Sequence, residues 1–122
     1  GLGDVYKRQV LTSMSAEDLE LTGVTRSVTD QVIELAKQAK EAGLSGVVAS
    51  PQEALMLREV LGDDAYIVTP GVRPVGSDLS DQSRVATPKQ AFDNGASHIV
   101  VGRPITEQAD PVAAFEAIAK EL

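Results

Sequence analysis

Three short, nearly uninterrupted apolar runs constrain this chain more than anything else in it: Gly46-Val47-Val48-Ala49, Tyr66-Ile67-Val68-Thr69 and His98-Ile99-Val100-Val101. A strand with one wetted face alternates apolar and polar residues. A run without alternation is buried on both faces, as in parallel sheets covered by helices. Val10-Leu11-Thr12 reads as a shorter strand of the same kind upstream.

Helical periodicity fills the intervals. Over 29–42, Val32, Leu35, Ala36, Ala39 and Ala42 recur every three or four residues and form one apolar stripe. Ala54, Leu57, Val60 and Leu61 do the same over 51–61; a short helix is expected over 88–94, and Val112, Phe115, Ile118 and Ala119 mark a last helix over 111–121. "SPQE" (Ser50–Glu53) and "TPKQ" (Thr87–Gln90) each set a capping hydroxyl first, Pro in the first turn, and Glu or Gln three residues on. Asp110-Pro111 starts the last helix the same way, and Gly43, Gly62 and Gly95 stand where helices should stop. The order is β-α-β-α-β-α-β-α, an α/β fold with a parallel sheet. A complete (β/α)₈ barrel takes about 250 residues and eight units. With 122 residues and four units, the chain suits a half-barrel or a small flavodoxin-like domain.

In such folds chemistry collects at the carboxyl ends of the strands. Four such ends are visible: "LTSM" with Thr12 and Ser13, "ASPQ" with Ser50, the long "TPGVRPVGSDLSDQSR" with Arg73, Asp78, Asp81, Gln82 and Arg84, and "GRPIT" with Gly102 and Arg103. The last two suggest a phosphate seat. Gly102 lets an oxyanion approach the backbone closely, Arg103 offers a planar fork of donors, and Gln82 adds a neutral amide. Taken singly, each has a bland reading: a surface ion pair, a turn residue, a solvated amide. Only their convergence on adjacent strand ends favours a ligand. His98 has no metal-type partner nearby, Glu17, Asp18 and Glu20 read as a solvated helix face, and Asp63-Asp64 reads as loop.

Charge narrows the partners. Eleven basic against eighteen acidic residues give a net charge of −7, so the overall field repels nucleic-acid backbones and any bound anion must be held locally. Aromatic residues make up 3% of the chain, too few for a base-stacking platform. The absence of Cys excludes disulfides and thiolate metal sites and fits a cytoplasmic setting. No apolar run approaches a membrane span, and GxGxxG, P-loop, HExxH and GxSxG patterns are absent.

"VLTSM", "GVVASPQEA", "TPGVRPVGSDLSDQSRVATPKQA" and "IVVGRPIT…DP" resemble, in this order, the C-terminal half of bacterial orotidine 5′-phosphate decarboxylases, from about Val10 to Leu122. The resemblance implies the C-terminal half of a (β/α)₈ TIM barrel with four βα units and parallel strands. It also implies a homodimeric enzyme without metal or cofactor, which converts orotidine 5′-monophosphate to uridine 5′-monophosphate and carbon dioxide in pyrimidine synthesis. By the same resemblance, Arg73, Gln82, Gly102 and Arg103 match the phosphate-side ligands. Thr12, or Ser13 in a register shifted by one, matches a residue that contacts the nucleotide near its base. The family's Lys/Asp motif, DxKxxDxxxT, is absent from this chain, and Lys37, Lys40, Lys89 and Lys120 all fall in helical segments. The implied chain grips substrate without a catalytic centre and is expected to be inactive alone.

Residues 1–9, "GLGDVYKRQ", depart from the family. They resemble a translated sequencing adapter and read as a non-native or disordered leader before a half-barrel at 10–122. A half-barrel leaves open sheet edges and a bare interior face, so poor solubility or pairing with a second copy is expected. The alternatives are another phosphate-binding barrel enzyme, such as a hexulose-phosphate synthase, and a non-enzymatic α/β binding domain.

Overall fold

The computed structural model describes residues 15–74 and 86–122. Helices α1 (Ala16–Leu21) and α2 (Val28–Glu41) lead into β1 (Gly46–Val48); α3 (Ala54–Leu61), β2 (Tyr66–Thr69), α4 (Pro88–Asp93) and β3 (His98–Ile99) follow, and α5 (Arg103–Thr106) and α6 (Pro111–Lys120) close the chain. The strands form one parallel sheet in the order β1-β2-β3, with Val47 opposite Ile67 and Val68 opposite His98. The expected strand at Val10–Thr12 lies outside the described residues.

Alternate residues point to opposite faces of this sheet. Val47, Ala49 and Ile67 pack under α2 and α3 with Val32, Ala36, Ala39, Ala54, Leu57 and Leu61 as the main core. A second cluster joins Val72, Ala91 and Ala96 to Ile99 and Val101. The opposite face carries Val48, Tyr66, Val68, His98 and Val100; Tyr66 is 48% exposed and Val100 51%. Gly46 sits where β1 runs so close to β2 that any side chain would strike the Tyr66 backbone.

The local chemistry at most helix ends is as expected. Thr87 and Gln90 form a reciprocal capping box with Pro88 in the first turn, and the Asp110 carboxylate accepts from the Val112 and Ala113 amides. Gly43, Gly62 and Gly95 follow helices at positive φ. Two expectations fail. Ser50–Glu53 does not cap α3: its Oγ is buried, the Glu53 amide bonds instead to the Ser50 carbonyl, and the helix begins only at Ala54 after a turn. The apolar run 98–101 gives a strand only at His98–Ile99, extended by one bond from Val100 N–H to the Thr69 carbonyl at 2.9 Å. The next β2-side residue facing β3 is Gly71, where the chain turns at φ 75°, and the ladder stops there.

Candidate active site

The chain leaves β2 through Pro70-Gly71, where Gly71 adopts φ 75°. An L side chain resists that region, so the turn calls for glycine. The turn brings Val72 into a parallel bridge with Ala86, and the Arg73 amide donates to the Ala86 carbonyl at 3.0 Å. Both stems of the long segment between β2 and α4 are thereby joined, and Arg73 is fixed at its base. From β3 the chain passes through Val100 and Val101 to Gly102, which opens α5; its carbonyl accepts from Ile105 at 2.8 Å and Thr106 at 3.1 Å.

These two arms line one open cleft of about 240 Å³ at the carboxyl ends of β2 and β3, with Pro70, Gly71, Val72 and Arg73 on one side and Val100, Gly102, Arg103 and Pro104 on the other. Arg73, Gly102 and Arg103, singled out from sequence, are thus brought together. Thr12, Ser13 and Gln82 lie outside the described residues. Pattern reasoning overlooked the cleft's apolar floor and the Thr69 seam beneath it; the Pro70-Gly71 dipeptide, a turn signal, marks the arm that aims Arg73.

Gly102 has a φ of −113°, and nothing lies within 4 Å of where a Cβ would stand. It lines the cleft, and a Cβ there would stand in open space.

The chemistry available is narrow. Among the described residues, the only ionisable groups lining the cleft are the two guanidinium groups. Guanidinium stays charged at any physiological pH and moves no proton. Two fixed positive charges suit a dianionic phosphate monoester, each worth about 1 kcal/mol at 4 Å in water and about 4 at an effective dielectric constant of 20. On a chain of net charge −7, only such a local concentration of positive charge retains an anion.

Elsewhere the candidates are few. Asp18 closes a capping box on α1: the Ser15 N–H and hydroxyl donate to its carboxylate and hold it below the ordinary carboxylate range. His98 is exposed and lies 5.6 Å from the Tyr66 ring. Among the described residues no group of three or more His, Cys, Asp or Glu could hold a metal ion, and no helix is long and apolar enough to cross a membrane.

Known proteins match this arrangement. The Orotidine 5'-phosphate decarboxylase / HUMPS family matches over residues 7–118. Orotidine 5'-phosphate decarboxylase of Pseudoalteromonas translucida is 53% identical over 113 residues, 93% of this chain and 48% of its own length. That of Moorella thermoacetica is 55% identical over 114 residues, 93% of this chain and 45% of its own. The crystal structure of orotidine 5'-phosphate decarboxylase from Lactobacillus acidophilus superposes with a TM-score of 0.77 at 41% identity, covering 94% of this chain and 46% of that one. The chain therefore spans about half the length of the relatives it matches. With a parallel α/β sheet, a doubly arginine-lined cleft at its carboxyl edge and a match over nearly all its residues, the chain belongs to the orotidine 5'-phosphate decarboxylase / HUMPS family.

Proposed function

We propose that this chain supplies the phosphate-gripping half of an orotidine 5′-monophosphate decarboxylase. The observation that carries the reading is the convergence of Arg73 with Gly102 and Arg103 on one cleft. Thr12 and Gln82 complete the substrate contacts on the same reading. Curated relatives bearing the decarboxylase name, at 53% and 55% identity, favour it over a hexulose-phosphate synthase.

In the overall reaction the bond from pyrimidine C6 to the carboxylate breaks, carbon dioxide leaves, and a proton takes its place on C6. No described cleft residue can deliver that proton, and the sequence holds no DxKxxDxxxT spacing. The role left for this chain is remote binding. Grip on the phosphate holds the pyrimidine in place while charged groups on another half act on it, so binding energy far from C6 lowers the barrier at C6. No metal or cofactor enters this scheme.

The architecture proposed with it is the C-terminal half of a (β/α)₈ barrel at 10–122. The face carrying exposed Tyr66 and Val100 and half-buried Val68 supports this, since that face would line a closed barrel. The complete enzyme is a cytoplasmic homodimer, and this chain alone is inactive and either poorly soluble or paired with a second copy.

The test joins the chain to the N-terminal half of a family member and follows loss of orotidine 5′-monophosphate absorbance. Turnover that collapses in Arg103→Ala supports the reading. A fusion that folds yet neither binds uridine 5′-monophosphate nor turns over substrate rejects it. A cooperative, monomeric thermal transition of the chain alone would reject the half-barrel.

A further inference from the structure

Because β3 is two residues long, little backbone ladder joins it to β2. Hydroxyls reinforce the seam at both ends. At the entry, Ser97 Oγ accepts from the Ile67 amide at 2.8 Å and donates to the Ile67 carbonyl at 3.1 Å. At the exit, Thr69 Oγ1 donates to the His98 carbonyl at 3.1 Å, while the Thr69 carbonyl accepts from Val100 N–H. Thr69 thereby holds β3 on both sides of Ile99. Two residues later the chain turns at Gly71 and the two strands part, one toward Arg73 and the other toward Gly102 and Arg103.

We infer that Thr69 is a positioning residue for the cleft, its hydroxyl setting the spacing between the Arg73 arm and the Gly102–Arg103 arm. The inference rests on the phosphate reading above. Thr69 is fully buried on the same face as Ile67. There an aliphatic side chain of the same shape would fill the space equally well, and a hydroxyl is unfavourable unless it is hydrogen-bonded. What distinguishes Thr from Val at this position is the bond to His98, placed at the last point where the arms share a frame. Donors on separate segments must converge on one phosphate, and small misplacements are costly.

The experiment titrates inorganic phosphate into this chain, ¹⁵N-labelled and joined to the N-terminal half of a family member as above, and reads the Gly102 amide and the Arg73 and Arg103 side-chain Nε resonances. In the wild type all three should shift and saturate together. Thr69→Val should weaken binding about five-fold, the weight of one hydrogen bond. It should also separate the Arg73 titration from that of Gly102 and Arg103, a change that loss of stability alone would not produce. Thr69→Ser should restore a common midpoint. Thr69→Ala, which also lacks the hydroxyl, carries the test if Thr69→Val does not fold. Wild-type titration in a hydroxyl-free variant overturns the positioning role and leaves the cleft reading intact. Failure of phosphate to shift these resonances in the wild type overturns the cleft reading and this inference with it.

Discussion

Arginine is set differently at the two ends of this sheet. At the amino ends of the strands, Arg58 is saturated with backbone: Nε and Nη2 donate to the Gly95 carbonyl at 3.1 and 2.8 Å, and Nη1 reaches those of Gly62, Asp63 and Ala65 at 2.8, 3.0 and 2.7 Å. At the carboxyl ends, Arg73 and Arg103 border a cleft open to solvent. The same guanidinium fork rivets backbone in one place and, on the proposed reading, grips a ligand in the other. Barrel-type α/β folds divide their labour this way, with stability at one face and chemistry at the other.

The contrast can be broken from either side. Arg58→Met keeps the aliphatic stem and removes a donor from four carbonyls; it should lower unfolding free energy by about 3 kcal/mol in urea titrations while leaving phosphate affinity unchanged. A variant as stable as wild type would mean the rivet holds nothing. Arg103→Ala should act on the ligand instead, weakening uridine 5′-monophosphate binding about 100-fold by calorimetry, because the proposed bidentate contact to phosphate would be lost. Gly102→Ala sharpens the same point: a methyl placed in the cleft should cost about ten-fold in affinity and under about 0.5 kcal/mol in stability. A large stability loss there would return Gly102 to an ordinary turn role. The smallest effect concerns α1. Hydrogen bonds from Ser15 lower the Asp18 pKa in the folded state, so its contribution is present above the unfolded pKa and lost as pH falls through the folded one. Amide spectra should show α1 fraying in acid while α4, capped by Thr87, stays intact, and Asp18→Asn should flatten the dependence. Simultaneous fraying of both helices would sink this account.

What could be read from sequence follows the range of the forces involved. "TPKQ" and Asp110-Pro111 announced their helices because a cap is satisfied within four residues, and the double-faced burial of β1 and β2 showed as unbroken apolar runs. "SPQE" carries the same local pattern as "TPKQ" yet begins no helix at Ser50. Burial of Ser50 at the end of β1 takes its hydroxyl out of reach, and that burial is set by distant packing. The run at 98–101 misled for a similar reason: its length as a strand is decided by where the neighbouring strand turns away, at Gly71. Gly102 and Arg103 were legible as a pair, but their meeting with Arg73 depends on the Gly71 turn and the Ala86 bridge, which join segments with no shared pattern.

The Arg58 rivet also bears on how sequences of this family can be recombined. Its acceptors are main-chain carbonyls, which any donor sequence provides. Gly95 is the exception. It adopts φ 94°, and a Cβ there would stand 3.2 Å from the Arg58 Cβ. A chimera with a crossover between residues 58 and 95 therefore keeps its junction sound only when Arg58 and Gly95 are present together, so these positions form one heritable unit although 37 residues separate them.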